Sequence, residues 1–357
     1  MKKNVLFLTV LVLFFGCNPS HNEMKTIGVV GPFTGDGATY GASMKKGADL
    51  VFGKNPKYKI IYEDSKLSPK EGVNAVNKLI NINNVDIIFG AAASSVSLAI
   101  TPISDKKKII LFSSISTADD LTNAEYFIRN VPKNNLQGET AAKFLINKLG
   151  VSEIALFNEN DDYGVTIANG FKAEIHKLNG EIVFEDSYLS SNRDFKIPLL
   201  KIKESGAQAA FIPGNYKETE IILKQAKEIG LNIIFIGGDG SYSPELIKIA
   251  GTAAEGFYCT IMSLNKDLDY YKEFYKLFNE IYNTEPDIYD AYAYEACSII
   301  FNTMENSSTN TDELYSYITS HEFESLTGPI NFNKDGDIIR LFGIVKVEQS
   351  NFIEINF

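Results

Sequence analysis

TIGVVGPFTGDGATYGASMKKG, residues 26–47, decides how the rest of the chain is read. Residues 27–30 are an uninterrupted apolar run of the kind a fully buried strand shows. Residues 31–41 follow as a glycine-studded loop carrying one aromatic, Tyr40, and from 42 to 52 the apolar spacing turns helical. A strand that passes through a glycine-rich turn into a helix is an entry unit of a parallel α/β sheet. Such sheets hold small molecules beyond the carboxyl ends of their strands.

Outward from this stretch, short apolar runs alternate with amphipathic ones. Strands are expected at 58–62, 85–89, 109–112 and 126–130, and helices at 69–82 and 97–104, the former with Ser68 as N-cap ahead of Pro69. The pattern then restarts. Helices are expected at 135–149, 165–178, 195–204, 219–229 and 244–250, and strands at 153–157, 182–188, 209–212, 233–236 and 256–262. Longer helices at 270–282, 291–306 and 311–320 come next, then a hairpin-like turn over 328–337 with Asp-Gly chemistry, then strands at 344–347 and 352–355. The β-α-β-α order implies parallel sheets with right-handed crossovers. No low-complexity linker separates the two α/β units, which suggests several direct crossings between them.

The 357 residues are 45% hydrophobic, ample for two cores of ordinary domain size. Net charge is -11, from 34 Lys+Arg against 45 Asp+Glu, which argues against nucleic acid or anionic lipid as a partner through bulk electrostatics. Residues 1–17 read as a processing segment rather than as fold. Lys2 and Lys3 precede an apolar run over 5–15 that is too short to span a bilayer as a helix and fits a secretory signal. The Gly16-Cys17 ending resembles the bacterial lipoprotein box, in which the Cys becomes the lipidated first residue. Phe14 and Phe15 depart from its usual pattern, so a plain signal peptide stays open. Residues 18–23 would be the tether. Of the remaining cysteines, Cys259 falls in a strand-like run and Cys297 in a helical one. An exported protein could join them; two buried free thiols is the favoured reading. No Cys/His cluster suggests a metal.

Ten landmarks stand in order: IGVVGPFTGDGATYG, YEDS, IIFGAAASS, ILFSSISTADDLT, FIRNVP, NENDDYG, FIPGNYKET, FIGGDG, AAEGFYCT and GPINFNKDGD. In these, residues 25–357 resemble the type I periplasmic binding proteins, specifically the branched-chain amino acid group of ABC-transporter substrate-binding proteins. The resemblance implies an α/β fold of two doubly wound parallel-sheet lobes joined by three crossover segments, near 131–133, 262–264 and 338–341. It places 24–132 and 263–338 in an N-terminal lobe, and 133–262 and 339–357 in a C-terminal lobe.

The same resemblance implies a site between the lobes. Ser94 and Thr117 would clamp the carboxylate of an amino acid, with Ser95 beside them and Ser116 donating through its backbone, at a helix N-terminus whose dipole favours negative charge. Asp239 would face the ammonium, although Asp stands where the family more often has Glu. Tyr163 would close over the ligand and Tyr40 would wall it, with Tyr216 and Tyr289 as secondary wall residues. Read without the resemblance, the hydroxyls are equally N-caps and the aspartate a turn former. The implied protein is exported, to the periplasm or the cell surface, monomeric and without cofactor. It would be membrane-anchored through Cys17 and would deliver an amino acid to an ABC permease by hinge closure. A receptor of the same fold for an amide, urea or an aromatic acid is the main alternative. A dinucleotide enzyme is weighed against Gly35–Gly41, where the third glycine of G-x-G-x-x-G arrives one residue late. A hydrolase finds only three His and no nucleophile elbow.

Overall fold

The computed structural model of the chain describes residues 24–308 and 310–356. The signal-peptide reading of 1–17, the tether over 18–23 and the lipidation of Cys17 lie outside the described residues.

The first α/β unit runs β1 (Lys25–Gly31), α1 (Ala38–Phe52), β2 (Tyr58–Asp64), α2 (Pro69–Asn81), β3 (Ile87–Gly90), α3 (Ser94–Lys107), β4 (Leu111–Ser113) and β5 (Phe127–Arg129). Its sheet has the order β2-β1-β3-β4-β5, and every neighbouring pair is parallel. Ile87–Gly90 is buried along its whole length, which is why it reads as a continuous apolar run rather than as an alternation.

The second unit runs α4 (Asn134–Lys143), β6 (Glu153–Glu159), α5 (Asp162–Lys177), β7 (Glu181–Tyr188), α6 (Lys196–Glu204), β8 (Ala209–Ile212), α7 (Tyr216–Glu228), β9 (Ile234–Gly237), α8 (Pro244–Ala250) and β10 (Tyr258–Met262). Helices α9 (Asp269–Tyr282), α10 (Ile288–Asn306) and α11 (Thr311–Ser320) follow, with a small ribbon of β11 (Glu322–Phe323) and β12 (Ile330–Asn331), and β13 (Phe342–Glu348) and β14 (Asn351–Ile355) end the chain. The second sheet has the order β14-β13-β10-β9-β8-β6-β7. Strands β6 to β10 are mutually parallel, while β13 and β14 are antiparallel additions at one edge.

Helix α10 returns to the first unit and lies on α1. The approach is close enough that a Cβ at Gly47 would stand 2.6 Å from the Ala293 carbonyl carbon, so only glycine fits at that crossing. Cys259 on β10 and Cys297 on α10 are both buried free thiols, as expected from their separate elements.

The chain passes between the sheets three times, and one buried cluster touches all three passages. The Arg340 guanidinium pairs with Glu295 of α10 at 2.8 Å and donates to the Asn130 carbonyl at 3.0 Å. Asn130 donates its side-chain amide to Glu295 at 2.9 Å and to the Tyr292 carbonyl at 3.0 Å. Tyr292 lies 4.9 Å under the guanidinium and donates its hydroxyl to the Ser263 carbonyl at 2.8 Å. Burial disfavours the Arg340 charge, and the Glu295 carboxylate more than restores it. A second pair, Arg129 with Asp337 at 2.6 Å, reaches the carbonyl of Ala118 at 2.6 Å and so holds the loop after β4.

Candidate functional site

The carboxyl ends of the two sheets face each other across an enclosed cavity, as expected for a parallel α/β arrangement. Tyr40, Leu67, Ala92, Ala93, Ser94, Ile115 and Tyr289 line it from the first sheet's side. Asp161, Tyr163, Asn215, Asp239 and Gly240 line it from the second. Its volume is about 30 Å³.

On the first side, α3 begins at Ser94 itself, so its opening N–H groups and their positive partial charge face the cavity. The Ser94 hydroxyl oxygen accepts the N–H groups of Thr117 (3.3 Å) and Ala118 (3.1 Å), which fixes the loop after β4 against the helix and leaves the hydroxyl proton to donate. Thr117 Oγ1 is buried without a hydrogen-bond partner, an arrangement that costs free energy unless something meets it. Thr117 and Ser95 do not line the cavity wall. Ser116 is turned away: its hydroxyl donates to the Ala91 carbonyl at 2.9 Å and meets Ser97 Oγ at 2.7 Å, and its N–H is bound by Ser113 Oγ at 2.9 Å. That N–H is therefore already used within the loop.

On the second side, Asp239 follows β9 in a turn and is buried. Tyr163 donates to its Oδ1 at 2.6 Å and Gln137 Nε2 at 2.8 Å, while its own N–H reaches Gln137 Oε1 at 2.9 Å. Burial pushes the Asp239 carboxyl up, and the bonds from Tyr163 and Gln137 pull against it. Gly238 makes this cluster possible, since a Cβ there would lie 2.5 Å from the Tyr163 hydroxyl and 2.6 Å from Gln137 Oε1. Asp161 caps α5 by accepting the Gly164 N–H at 2.8 Å, and burial raises its carboxyl as well. Behind it, Glu159 is pushed up to about 8 by burial and by Asp161 and Glu218.

The two sides are joined by hydroxyls. Tyr40 donates to the Gly240 carbonyl and Tyr289 to the Asp239 carbonyl, at 2.8 and 2.7 Å. In the opposite direction Tyr216 donates to the Asp36 carbonyl at 2.8 Å. The rings of Tyr40 and Tyr289 meet edge to face at 5.1 Å. Tyr216 belongs to an outer cleft rather than to the cavity.

The structure thus brings together Ser94, Tyr40, Tyr163, Asp239 and Tyr289 around one cavity, and leaves Ser95, Ser116, Thr117 and Tyr216 behind or beside it. It adds Leu67, Ile115 and Asp161 to the wall and Gln137 behind Asp239, residues that no motif singled out as binding groups. The cavity wall carries two carboxylates and no Lys, Arg or His among the described residues. Among the same residues no cluster of His, Cys, Asp and Glu could hold a metal ion, and no helix is long and apolar enough to cross a membrane.

Residues 25–351 match the sequence profile described as periplasmic binding protein. The chain is 25% identical over 345 residues to the leucine-, isoleucine-, valine-, threonine- and alanine-binding protein of Pseudomonas aeruginosa, covering 93% of this chain and 92% of that one. A leucine-binding protein from Thermotoga maritima superposes with a TM-score of 0.88 at 26% identity, over 93% of this chain and 98% of that one. A solute-binding protein from R. palustris, solved with benzoate, shares the fold at TM-score 0.84 and 18% identity, covering 92% and 95%.

Proposed function

The chain belongs to the periplasmic binding protein family, and from that premise we propose that it captures a small aliphatic amino acid between its two lobes and hands it to an ABC permease. The reading takes 24–132 with 263–338 as one lobe and 133–262 with 339–357 as the other. The ligand carboxylate lies against the α3 N-terminus and the Ser94 hydroxyl, with Thr117 Oγ1 as a further donor. The ammonium lies against Asp239, with Asp161 close by. Its side chain fits between Ala92, Ala93, Ile115, Leu67 and the tyrosine rings.

One observation carries this choice of ligand: two carboxylates and no basic side chain line the wall. A ligand with an ammonium neutralises part of that charge. An aromatic acid would bring its charge to a buried wall that offers carboxyls and no cation, which is costly without a partner. Closure supplies the second lobe's bonds only after the first lobe holds the ligand, and the closed form is what a permease can read. The site binds and releases; no residue is assigned a catalytic role and no cofactor is invoked.

Calorimetric titration of the purified chain with the twenty amino acids, small amides, urea and benzoate tests the reading. Aliphatic amino acids are expected to bind, with about 2.7 kcal/mol of thermal stabilisation at a hundredfold excess over Kd. Binding of benzoate or amides with none of the amino acids would overturn it. For localisation, the proposal is export with Cys17 as the lipid anchor. A Cys17→Ser chain should move from the membrane to the soluble fraction, and continued membrane fractionation would exclude the thiol as anchor.

A further inference from the structure

Beside the inner cavity lies a second, larger cleft of about 500 Å³, open to the outside between the two sides of the molecule. Charged side chains border it: Asp36, Lys66, Glu159, Arg193, Lys217 and Glu218. Among the described residues, Tyr40, Leu67 and Asn215 alone line both spaces, so these three form the partition between them. Two of the three are tied in place by hydrogen bonds. Tyr40 is bound to the Gly240 carbonyl, and Asn215 gives its N–H and side-chain amide to Glu159 Oε2 at 3.0 and 2.8 Å. Leu67 is the apolar member, held by shape alone.

The backbone under Leu67 is unusual. Lys66 and Leu67 both have left-handed φ, +49° and +57°, in a region that bulky residues seldom occupy. Successive non-glycine residues there persist only where their surroundings over-determine them. Asp64 accepts the N–H groups of Phe33 and Lys66, each at 2.9 Å, and so ties this turn to the first loop. Ser65 donates its N–H to the Gly31 carbonyl at 2.8 Å. Leu67 then presses on Gly37, where a Cβ would stand 2.9 Å from Leu67 Cδ1. Two loops are thereby locked together with a leucine at their meeting point, facing the cavity.

We propose that Leu67 is the residue that sets the upper size of the ligand, acting as an apolar partition that ends the inner cavity and keeps the ligand's far end out of the charge-bordered outer cleft. The inference rests on the reading of the inner cavity as the ligand site. With the partition in place, the ligand's side chain ends against Leu67. With it trimmed, the inner cavity runs on into the outer cleft, and larger side chains gain room while small ones lose apolar contact.

The experiment measures Kd for leucine and phenylalanine by calorimetry in wild type, Leu67→Ala and Leu67→Phe. The ratio of the leucine Kd to the phenylalanine Kd should rise at least tenfold in Leu67→Ala and fall below the wild-type value in Leu67→Phe. The second variant keeps the test decisive if the first folds poorly. A ratio unchanged within twofold in the folded variants overturns the inference while amino acid binding itself stands. If wild type binds benzoate instead, the same shift measured between benzoate and 2-naphthoate supports the partition and removes the amino acid reading. A chain that binds neither class overturns both.

Discussion

Tyr40 Oη donates at 2.8 Å to the carbonyl of Gly240, a residue 200 positions along the chain and on the opposite side of the cleft. Parting the two sides would break the bond, so under the proposed hinge closure it stabilises the closed form relative to the open one. Its acceptor is buried, and without the hydroxyl that carbonyl would be left unsatisfied.

Tyr40→Phe keeps the ring that walls the cavity and removes only this bond. The expected loss is about 1–2 kcal/mol of closure, read as a Kd raised roughly 5- to 30-fold by calorimetry. Tyr289→Phe removes the parallel bond to the Asp239 carbonyl and should give a loss of the same order. Because ligand binding and closure are linked, an unchanged Kd in both variants would mean that these bonds are present in the open form too.

Asp239→Asn tests the charge rather than the shape. Gln137 and Tyr163 can still donate to an amide oxygen at the same place, so the turn after β9 should keep its form. What disappears is the charge facing a buried ammonium, a change worth about 3–5 kcal/mol when one partner of a buried pair is removed. The Kd for an amino acid should rise at least about 100-fold while the melting temperature of the free chain stays close to wild type.

The strands and the second sheet's turn were open to reading in the sequence because burial on both faces writes itself as apolar runs. Ala209–Ile212 and Ile87–Gly90 are such runs, and Asp239 follows another. Helix starts were read late for a common reason. α1 begins at Ala38 rather than 42, α3 at Ser94 rather than 97, and α7 at Tyr216 rather than 219. First turns at the mouth of a site point polar or small residues into it, so apolar periodicity begins only one turn later. Ser68 occupies the N-cap position of α2 without a side-chain capping bond, because position and bond are separate requirements. Leu67, Asp161 and Gln137 carried no local signal. Leu67 and Asp161 reach the cavity from a left-handed turn and a cap, Gln137 backs Asp239 from the interior face of α4, and only the tertiary approach of these elements brings them together. The two edge strands are legible at 344–347 and 352–355, but their antiparallel direction is not, since it is set by the crossing near Arg340 and not by the apolar pattern.

Glu159 gives a pH prediction. Its carboxyl, ordinarily near 4.5, is raised to about 8, first by burial and then by Asp161 and Glu218; Tyr188 also lies near, and Arg193 faces Glu218. The folded chain therefore holds a proton that the unfolded chain has released across this range. The stability from that proton is complete below about 4.5 and is lost as pH rises through about 8. Melting temperature should fall between about pH 5 and pH 8. Glu159→Gln, whose amide oxygen can still accept from Asn215, should flatten that fall and melt higher than wild type at pH 9.

Arg340 and Glu295 give the last prediction, and here stability and binding should separate. The pair is fully buried and holds the passages at Asn130, Ser263 and Arg340 around one point, yet neither residue lines the cavity. Arg340→Met strands the Glu295 carboxylate with only the Asn130 amide and the Leu326 N–H, the latter at 2.7 Å, as donors. Loss of one partner from such a pair costs about 3–5 kcal/mol, whereas removal of both charges costs far less. The urea midpoint, followed by circular dichroism because the chain has no tryptophan, should drop sharply in Arg340→Met and recover in the Arg340→Met, Glu295→Leu double variant. Ligand affinity at low temperature, where all three proteins are folded, should change less than tenfold. If the single variant instead loses binding and keeps its midpoint, the cluster governs the angle between the lobes and contributes little to holding them folded.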